Sequence, residues 1–188
     1  MGSYPNSGGP IVRRVPEGDD RPRLVCDACG FIRYENPKIV VGSVATWDGR
    51  ILLCRRSIEP QAGFWTLPAG FLELHEGPTQ GARREAEEEA CAEIVIDALL
   101  AVYTIPRISL VQLFYRAHLA RPEIAPGFES LEVELFERDE IPWDALAFPS
   151  VTWALRHHTE APERGDFAPF TNPVGDVGDY RPGVPARR

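Results

Sequence analysis

The sequence predicts an α/β fold in which a mixed β-sheet carries two helices, one on each face. Three observations carry that prediction. Residues 39–47 form a β-branched run that breaks at Asp48-Gly49, a hairpin-turn dipeptide, and resumes over residues 51–54. Good helix formers fill residues 80–92 behind Gly77-Pro78-Thr79, with Thr79 the expected N-cap and Pro78 a helix-start mark. A second helical pattern runs over residues 149–158, with Val151, Ala154 and Leu155 on its inner face.

The remaining strands follow from the same reasoning. Residues 93–105 and 109–119 read as two strands and residues 131–136 as a third, which gives an α/β sandwich over residues 38–158. Before it, residues 1–37 are rich in Gly, Pro and charge and hold one compact feature, Cys26-Asp27-Ala28-Cys29-Gly30. After it, residues 159–188 contain five prolines and no apolar period, so they read as a tail that is either draped on the surface or disordered.

Composition narrows the function. The chain has 188 residues with 20 Lys+Arg against 28 Asp+Glu, a formal charge of −8. A hydrophobic content of 44% is enough to fill one core, which excludes wholesale disorder. No apolar run approaches the ~20 residues that span a bilayer, so no membrane partner is expected. A pI near 5.1 argues against gripping nucleic-acid phosphates. MGSYPNSGGPIVRR has no apolar h-region of a secretory signal, and four cysteines make no disulfide scaffold; a cytoplasmic setting is the expectation. An acidic protein that handles phosphates needs cations to bring its substrate in.

The informative stretch is GFLELHEGPTQGARREAEEEACA, residues 70–92. With Glu85 at the origin of a helical wheel, Glu88 and Glu89 fall within an arc of about 100° that includes it, while Glu87 falls on the far side. Ala82, Ala86 and Ala90 form a small-residue stripe beside that arc, which lets the helix approach a sheet closely. Three like charges on one face repel, and oxygen ligands select hard cations such as Mg²⁺ or Mn²⁺. The competing reading is a Glu-rich solvated face.

The stretch resembles the motif of the Nudix hydrolases, G-x5-E-x7-R-E-U-x-E-E-x-G-U, with U a bulky aliphatic residue. Gly70, Glu76, Arg84, Glu85, Glu88 and Glu89 hold its fixed positions. Ala86 and Ala92 are small for the aliphatic places, and Cys91 stands where the motif has glycine. The resemblance implies a Nudix-type α/β/α sandwich that hydrolyses a nucleoside diphosphate linked to another moiety, using Mg²⁺ or Mn²⁺. It implies Glu85, Glu88 and Glu89 as metal ligands and catalytic residues, Glu76 as an additional ligand, and Arg84 as a residue that orients a carboxylate. A general base is expected within residues 126–132: Glu132 stands as the catalytic candidate with Glu129 three residues before it, two solvated loop acids being the alternative.

The runs CDACGFIRYENPKIVVGSV, GFWTLPAGFLE and ESLEVELF resemble the branch of FAD and ADP-ribose diphosphatases with an N-terminal zinc ribbon. Such a ribbon needs two Cys-x-x-Cys knuckles. Cys26 and Cys29 supply one, whereas Tyr4 and Ser7 take the cysteine places of the other, so a ribbon-like shape without a full zinc site is expected. Substrate contacts are assigned to Arg55, with Arg56 beside it, to Glu73, and to Trp65 as a base-stacking residue, core packing being the alternative for Trp65. His157 and His158 read as capping the last helix. A nucleoside triphosphate pyrophosphohydrolase and a non-catalytic nucleotide sensor are the competing functions; an RNA-cap hydrolase is disfavoured by the lack of a basic stripe. A small-molecule nucleotide substrate and a symmetric homodimer are the expected partners.

Overall fold

The computed structural model describes residues 8–162, 166–180 and 183–184. Two units divide the chain, Met1–Pro37 and Lys38–Arg188. In the first, β1 (Val12–Arg14), β2 (Arg23–Val25) and β3 (Ile32–Arg33) form a three-stranded antiparallel sheet in chain order. The turn between β2 and β3 is the Cys26–Gly30 pentapeptide. Its backbone closes through Gly30 N–H to Cys26 O and Cys26 N–H to Phe31 O, each 2.8 Å, and Gly30 takes the left-handed φ of +74°. Cys26 is buried and Cys29 exposed. Tyr4 and Ser7 lie outside the described residues.

In the second unit, β4 (Lys38–Trp47) and β5 (Arg50–Arg56) form the expected hairpin, with φ of +47° at Asp48 and +79° at Gly49 as a primed turn requires. Short strands β6 (Trp65–Thr66) and β7 (Ala69–Phe71) follow, then helix α1 (Pro78–Ala90). Strands β8 (Ile94–Ile105), β9 (Leu110–Leu119) and β10 (Ser130–Phe136) precede helix α2 (Pro149–Glu160). The sheet order is β10-β5-β4-β9-β8, with β4 and β9 parallel and the other neighbours antiparallel; β6 pairs with β5, and β7 with β4. Among the described residues no helix is long and apolar enough to cross a membrane.

Side chains alternate between two faces. Val44, Leu53 and Phe114 pack with Val151, Trp153, Ala154 and Leu155 of α2, while Ala45, Leu52 and Ala117, on the same strands, pack with Ala86 and Ala90 of α1. The two helices therefore cover opposite faces, as the sequence predicts.

Two local expectations are corrected, and one open alternative is decided. The N-cap of α1 is Gly77, not Thr79: Pro78 occupies the first helical turn, where its missing N–H costs nothing, and Gln80 Oε1 accepts the Gly77 N–H at 2.7 Å. His157 does not cap α2 through its side chain. Its Nδ1 lies 2.7 Å from the Tyr103 hydroxyl and its ring stacks on Phe170 at 4.4 Å. Of the two alternatives for residues 159–188, the described part of 166–180 is draped. Phe170 bridges to the edge strand β8 through Val102 N–H to Phe170 O and Phe170 N–H to Leu100 O, both 2.9 Å.

Candidate active site

Helix α1 brings its carboxylates to the sheet because the face beside them is alanine. Ala82, Ala86 and Ala90 are fully buried, and this small stripe lets the helix settle closely enough that Glu85 and Glu89 are only 8% and 5% exposed. Glu87 and Glu88 are exposed. The requirement for glycine at position 70 is spatial: a methyl group there would overlap the Glu85 carboxylate.

Few positive groups offset this buried charge. Burial pushes Glu89 up to about 8, against the Ala69 N–H that its Oε2 accepts at 3.1 Å, and Glu85 and Glu129 add repulsion. Burial also raises Glu85, opposed by Arg84. Arg84 is the counter-charge of the cluster. Its Nε and Nη2 grip Glu76 at 3.1 and 2.7 Å, and its Nη1 donates to Glu85 at 2.7 Å and to Glu88 at 2.8 Å. That fork, together with the Glu73 N–H donated to Glu76 at 2.7 Å, holds the Glu76 carboxyl below the usual carboxylate range.

One cavity of about 750 Å³ joins these groups to the rest of the site. Its lining includes the charged Glu73, Arg84, Glu85, Glu88, Glu89 and Glu129 together with Phe71, Ile105, Leu110, Gln112, Phe148 and Tyr180. The volume lies within the usual range for small-molecule sites.

Most of the residues expected from the sequence meet here. Glu85, Glu88, Glu89 and Glu73 line the cavity. Glu76 does not; it acts on the site through Arg84. Glu132 does not line the cavity either, and Glu129 does. Glu132 already belongs to β10, where the register sets it opposite Arg55, whose Nη1 lies 3.4 Å from its carboxylate. Arg55 is thereby turned away, with its Nε on Gly63 O at 3.0 Å, and of the two adjacent arginines it is Arg56 that lines the cavity. Adjacent residues of a strand face opposite ways, so sequence alone could not choose between them. Trp65 packs on Phe136 at 4.9 Å beside the α2-side core and does not line the cavity. The sequence reading missed Gln112, Phe148 and Tyr180, which nothing in their local pattern distinguishes from sheet, loop and tail residues.

The motif glycine replaced by Cys91 is also explained. Cys91 ends α1 in the left-handed region, φ +48° and ψ +30°, with its N–H on Glu87 O at 2.9 Å and Ala92 N–H on Ala86 O at 3.1 Å. The turn keeps its shape without glycine.

An acidic, water-accessible cleft built on a loop–helix–loop over a mixed sheet is the kind of site that works on anionic substrates through bound cations. Residues 36–155 match the model of the NUDIX domain, and residues 5–35 match the zinc-ribbon family described as Nudix N-terminal. The chain belongs to the Nudix hydrolase family.

Its relatives are consistent with this. A NUDIX hydrolase of known crystal structure from Nitrosomonas europaea superposes with a TM-score of 0.80 at 43% identity, covering 92% of this chain and 99% of that one. An ADP-ribose pyrophosphatase from Methanocaldococcus jannaschii is 29% identical over 119 residues, 61% of this chain and 69% of the relative. A MutT-like protein from Streptomyces ambofaciens is 35% identical over 102 residues, 54% of this chain and 64% of the relative.

Proposed function

We propose that the chain is a Mg²⁺- or Mn²⁺-dependent diphosphatase that hydrolyses ADP-ribose, FAD or a related dinucleotide to two monophosphates. The observation that carries this reading is that Glu85, Glu88, Glu89 and Glu129 line one cavity that also carries aromatic and apolar side chains. The kinship with an ADP-ribose pyrophosphatase supports the same substrate class.

The donor set fits a hard divalent cation: every candidate ligand is a carboxylate oxygen, and two of the carboxylates are buried with their charge under-compensated. Among the described residues no three Asp, Glu, His or Cys side chains converge at ligating spacing; Arg84 Nη1 bonds both Glu85 and Glu88. Glu85, Glu88 and Glu89 would hold the cation. A bound cation supplies neutralisation of the diphosphate and polarisation of the attacking water.

The chain's own residues do the rest. Glu76 anchors Arg84, whose guanidinium fixes the rotamers of Glu85 and Glu88. Glu129, at the loop edge of the cavity, accepts the proton of the water that attacks phosphorus as the bridging P–O bond breaks. Arg56 lines the same cavity and offers positive charge to a phosphate oxygen.

The test is a substrate panel with Mg²⁺ and Mn²⁺, its products resolved by chromatography, on wild type, Glu85→Gln and Glu88→Gln. AMP with a second monophosphate is expected from dinucleotides, with turnover reduced at least about 100-fold in each variant. Retained turnover in either variant removes the metal assignment. Pyrophosphate from nucleoside triphosphates, without AMP from dinucleotides, assigns the competing reaction. Mn²⁺ titration by electron paramagnetic resonance reads the cation site independently of turnover.

A further inference from the structure

Gln61 is a polar side chain buried where packing alone would favour an apolar one. It is 1% exposed, and its backbone holds a φ of +67°, a region that residues with a β-carbon seldom occupy. A buried amide is destabilising unless its polar atoms find partners. Both of its N–H groups and its oxygen are used here. Nε2 donates to Ala147 O at 2.8 Å and to Val184 O at 2.7 Å, and Oε1 accepts the Gly183 N–H at 2.5 Å. Each bond goes to the backbone of a segment distant in the chain.

Every segment joined in this way carries part of the cavity lining. Ile58, Glu59 and Pro60 line the cavity just before Gln61. Phe148 and Pro149 follow Ala147 there, and Gly178 and Tyr180 precede Gly183. The Ala147 end is fixed to the sheet, since its N–H donates to Trp65 O at 2.8 Å and Leu146 bridges to Trp65. Before Tyr180, the C-terminal segment is held by Trp153 Nε1 donating to Asp176 at 3.2 Å and by the 2.8 Å ion pair of Arg107 with Asp179. Gln61 supplies the hold after it. Between the two anchors Tyr180 meets Phe148 edge to face, with centroids 5.1 Å apart. Arg56 joins the same assembly: its Nε donates to Pro60 O at 2.9 Å, and its guanidinium stands 5.3 Å from the Phe148 ring centroid.

We propose that Gln61 is a positioning residue of this cavity: its amide ties Gly183 and Val184 to Ala147 and so keeps Tyr180 in the lining beside Phe148. Gln61 does not line the cavity, so it acts without touching the substrate. A lining fixed in advance spares the substrate the cost of ordering it, which places the contribution of the amide in substrate affinity rather than in the bond-breaking step. This rests on reading the cavity as the hydrolase site.

The test measures ADP-ribose hydrolysis with Mg²⁺ and Mn²⁺ for wild type, Gln61→Gly, Gly183→Pro, Tyr180→Ala and the Gln61→Gly/Tyr180→Ala double variant. Glycine accepts the φ of +67° at position 61, so Gln61→Gly removes the amide without straining the backbone. Gly183→Pro breaks the same link from an exposed position, deleting the N–H and excluding the φ of +75° found there. Each single variant is expected to raise KM about 3- to 10-fold with kcat within about twofold, the effect of one side chain no longer held in place. The double variant is expected to match Tyr180→Ala alone, because the amide works through that ring. An unchanged KM in Gln61→Gly or Gly183→Pro, a loss confined to kcat, or KM effects that multiply in the double variant overturns the positioning role. Hydrogen exchange followed by nuclear magnetic resonance reads the tie without turnover: the Gly183 N–H is expected to be protected in wild type and released in Gln61→Gly, and equal exchange in both overturns it. If wild type does not hydrolyse ADP-ribose, the proposed reaction falls, and calorimetric titration of the same proteins with ADP-ribose in chelator decides the role of Gln61. Weaker binding in Gln61→Gly and Gly183→Pro than in wild type then keeps it; equal affinities or no binding remove it.

Discussion

Cys91 shows how a single residue can keep a backbone shape that suits it poorly. It holds the left-handed turn at the end of α1, where a β-carbon crowds the following carbonyl at a cost of about 1 kcal/mol. Its side chain is exposed, so no packing rewards the cysteine. Cys91→Gly is expected to raise the melting temperature by about 2–4 °C at this chain length. A melt with no rise would show that the turn is not strained. Gly70 is the opposite case, since its place depends on room for the Glu85 carboxylate rather than on backbone freedom. Arg84 was legible as a residue that orients a carboxylate; that it grips three acids at once depends on Glu76 reaching back across the turn before α1.

At the scale of elements, α1 was the most legible part of the chain. Its charged face, its alanine stripe and its solvent-facing Glu87 all sit where a 3.6-residue period places them. Helix α2 ends on a histidine pair whose surroundings the sequence did not show. Burial lowers the pKa of both His157 and His158; Arg116 and Arg138 lower His158 further, Asp97 opposes them, and Glu160 opposes the shift at His157. A base with a depressed folded pKa stays neutral in the fold while the unfolded chain takes up the proton. Its contribution to stability is therefore present above the ordinary histidine value of 6.5 and is lost as pH falls through the lower folded value. The melting-temperature gap between wild type and the His157→Gln/His158→Gln double variant is expected to shift against wild type from pH 7.5 to pH 5.5. A gap independent of pH would show that neither ring is held neutral. Strands β6 and β7 escaped the sequence reading because two- and three-residue strands carry too few side chains for a period of two to show.

For the second unit as a whole, the C-terminal segment decides how the cavity is closed. Phe167 and Phe170 pack against the α2-side core, and Asn172 pairs with the backbone of Thr104 at 2.9 and 2.8 Å. Deleting residues 166–188 is expected to lower stability by at least about 3 kcal/mol, from two lost aromatic contacts and the bridge to β8. The accompanying fall in melting temperature is roughly 6–12 °C. An unchanged melt would mean that the segment rests on the sheet without stabilising it.

The amino-acid sequence by itself determined the order of the main strands and helices, the two-sided sheet, and the cluster formed by Glu85, Glu88 and Glu89. Each of these is written in local spacing: β-branched runs, a hairpin dipeptide, and charges three and four residues apart on one helix. Tertiary structure alone decided that Arg56 rather than Arg55, and Glu129 rather than Glu132, reach the cavity, and that Gln112 and Tyr180 line it with the carboxylates. Those choices depend on strand register and on contacts between segments distant in the chain. A shift of one residue in register reverses which side chains face inward, and no local pattern records it.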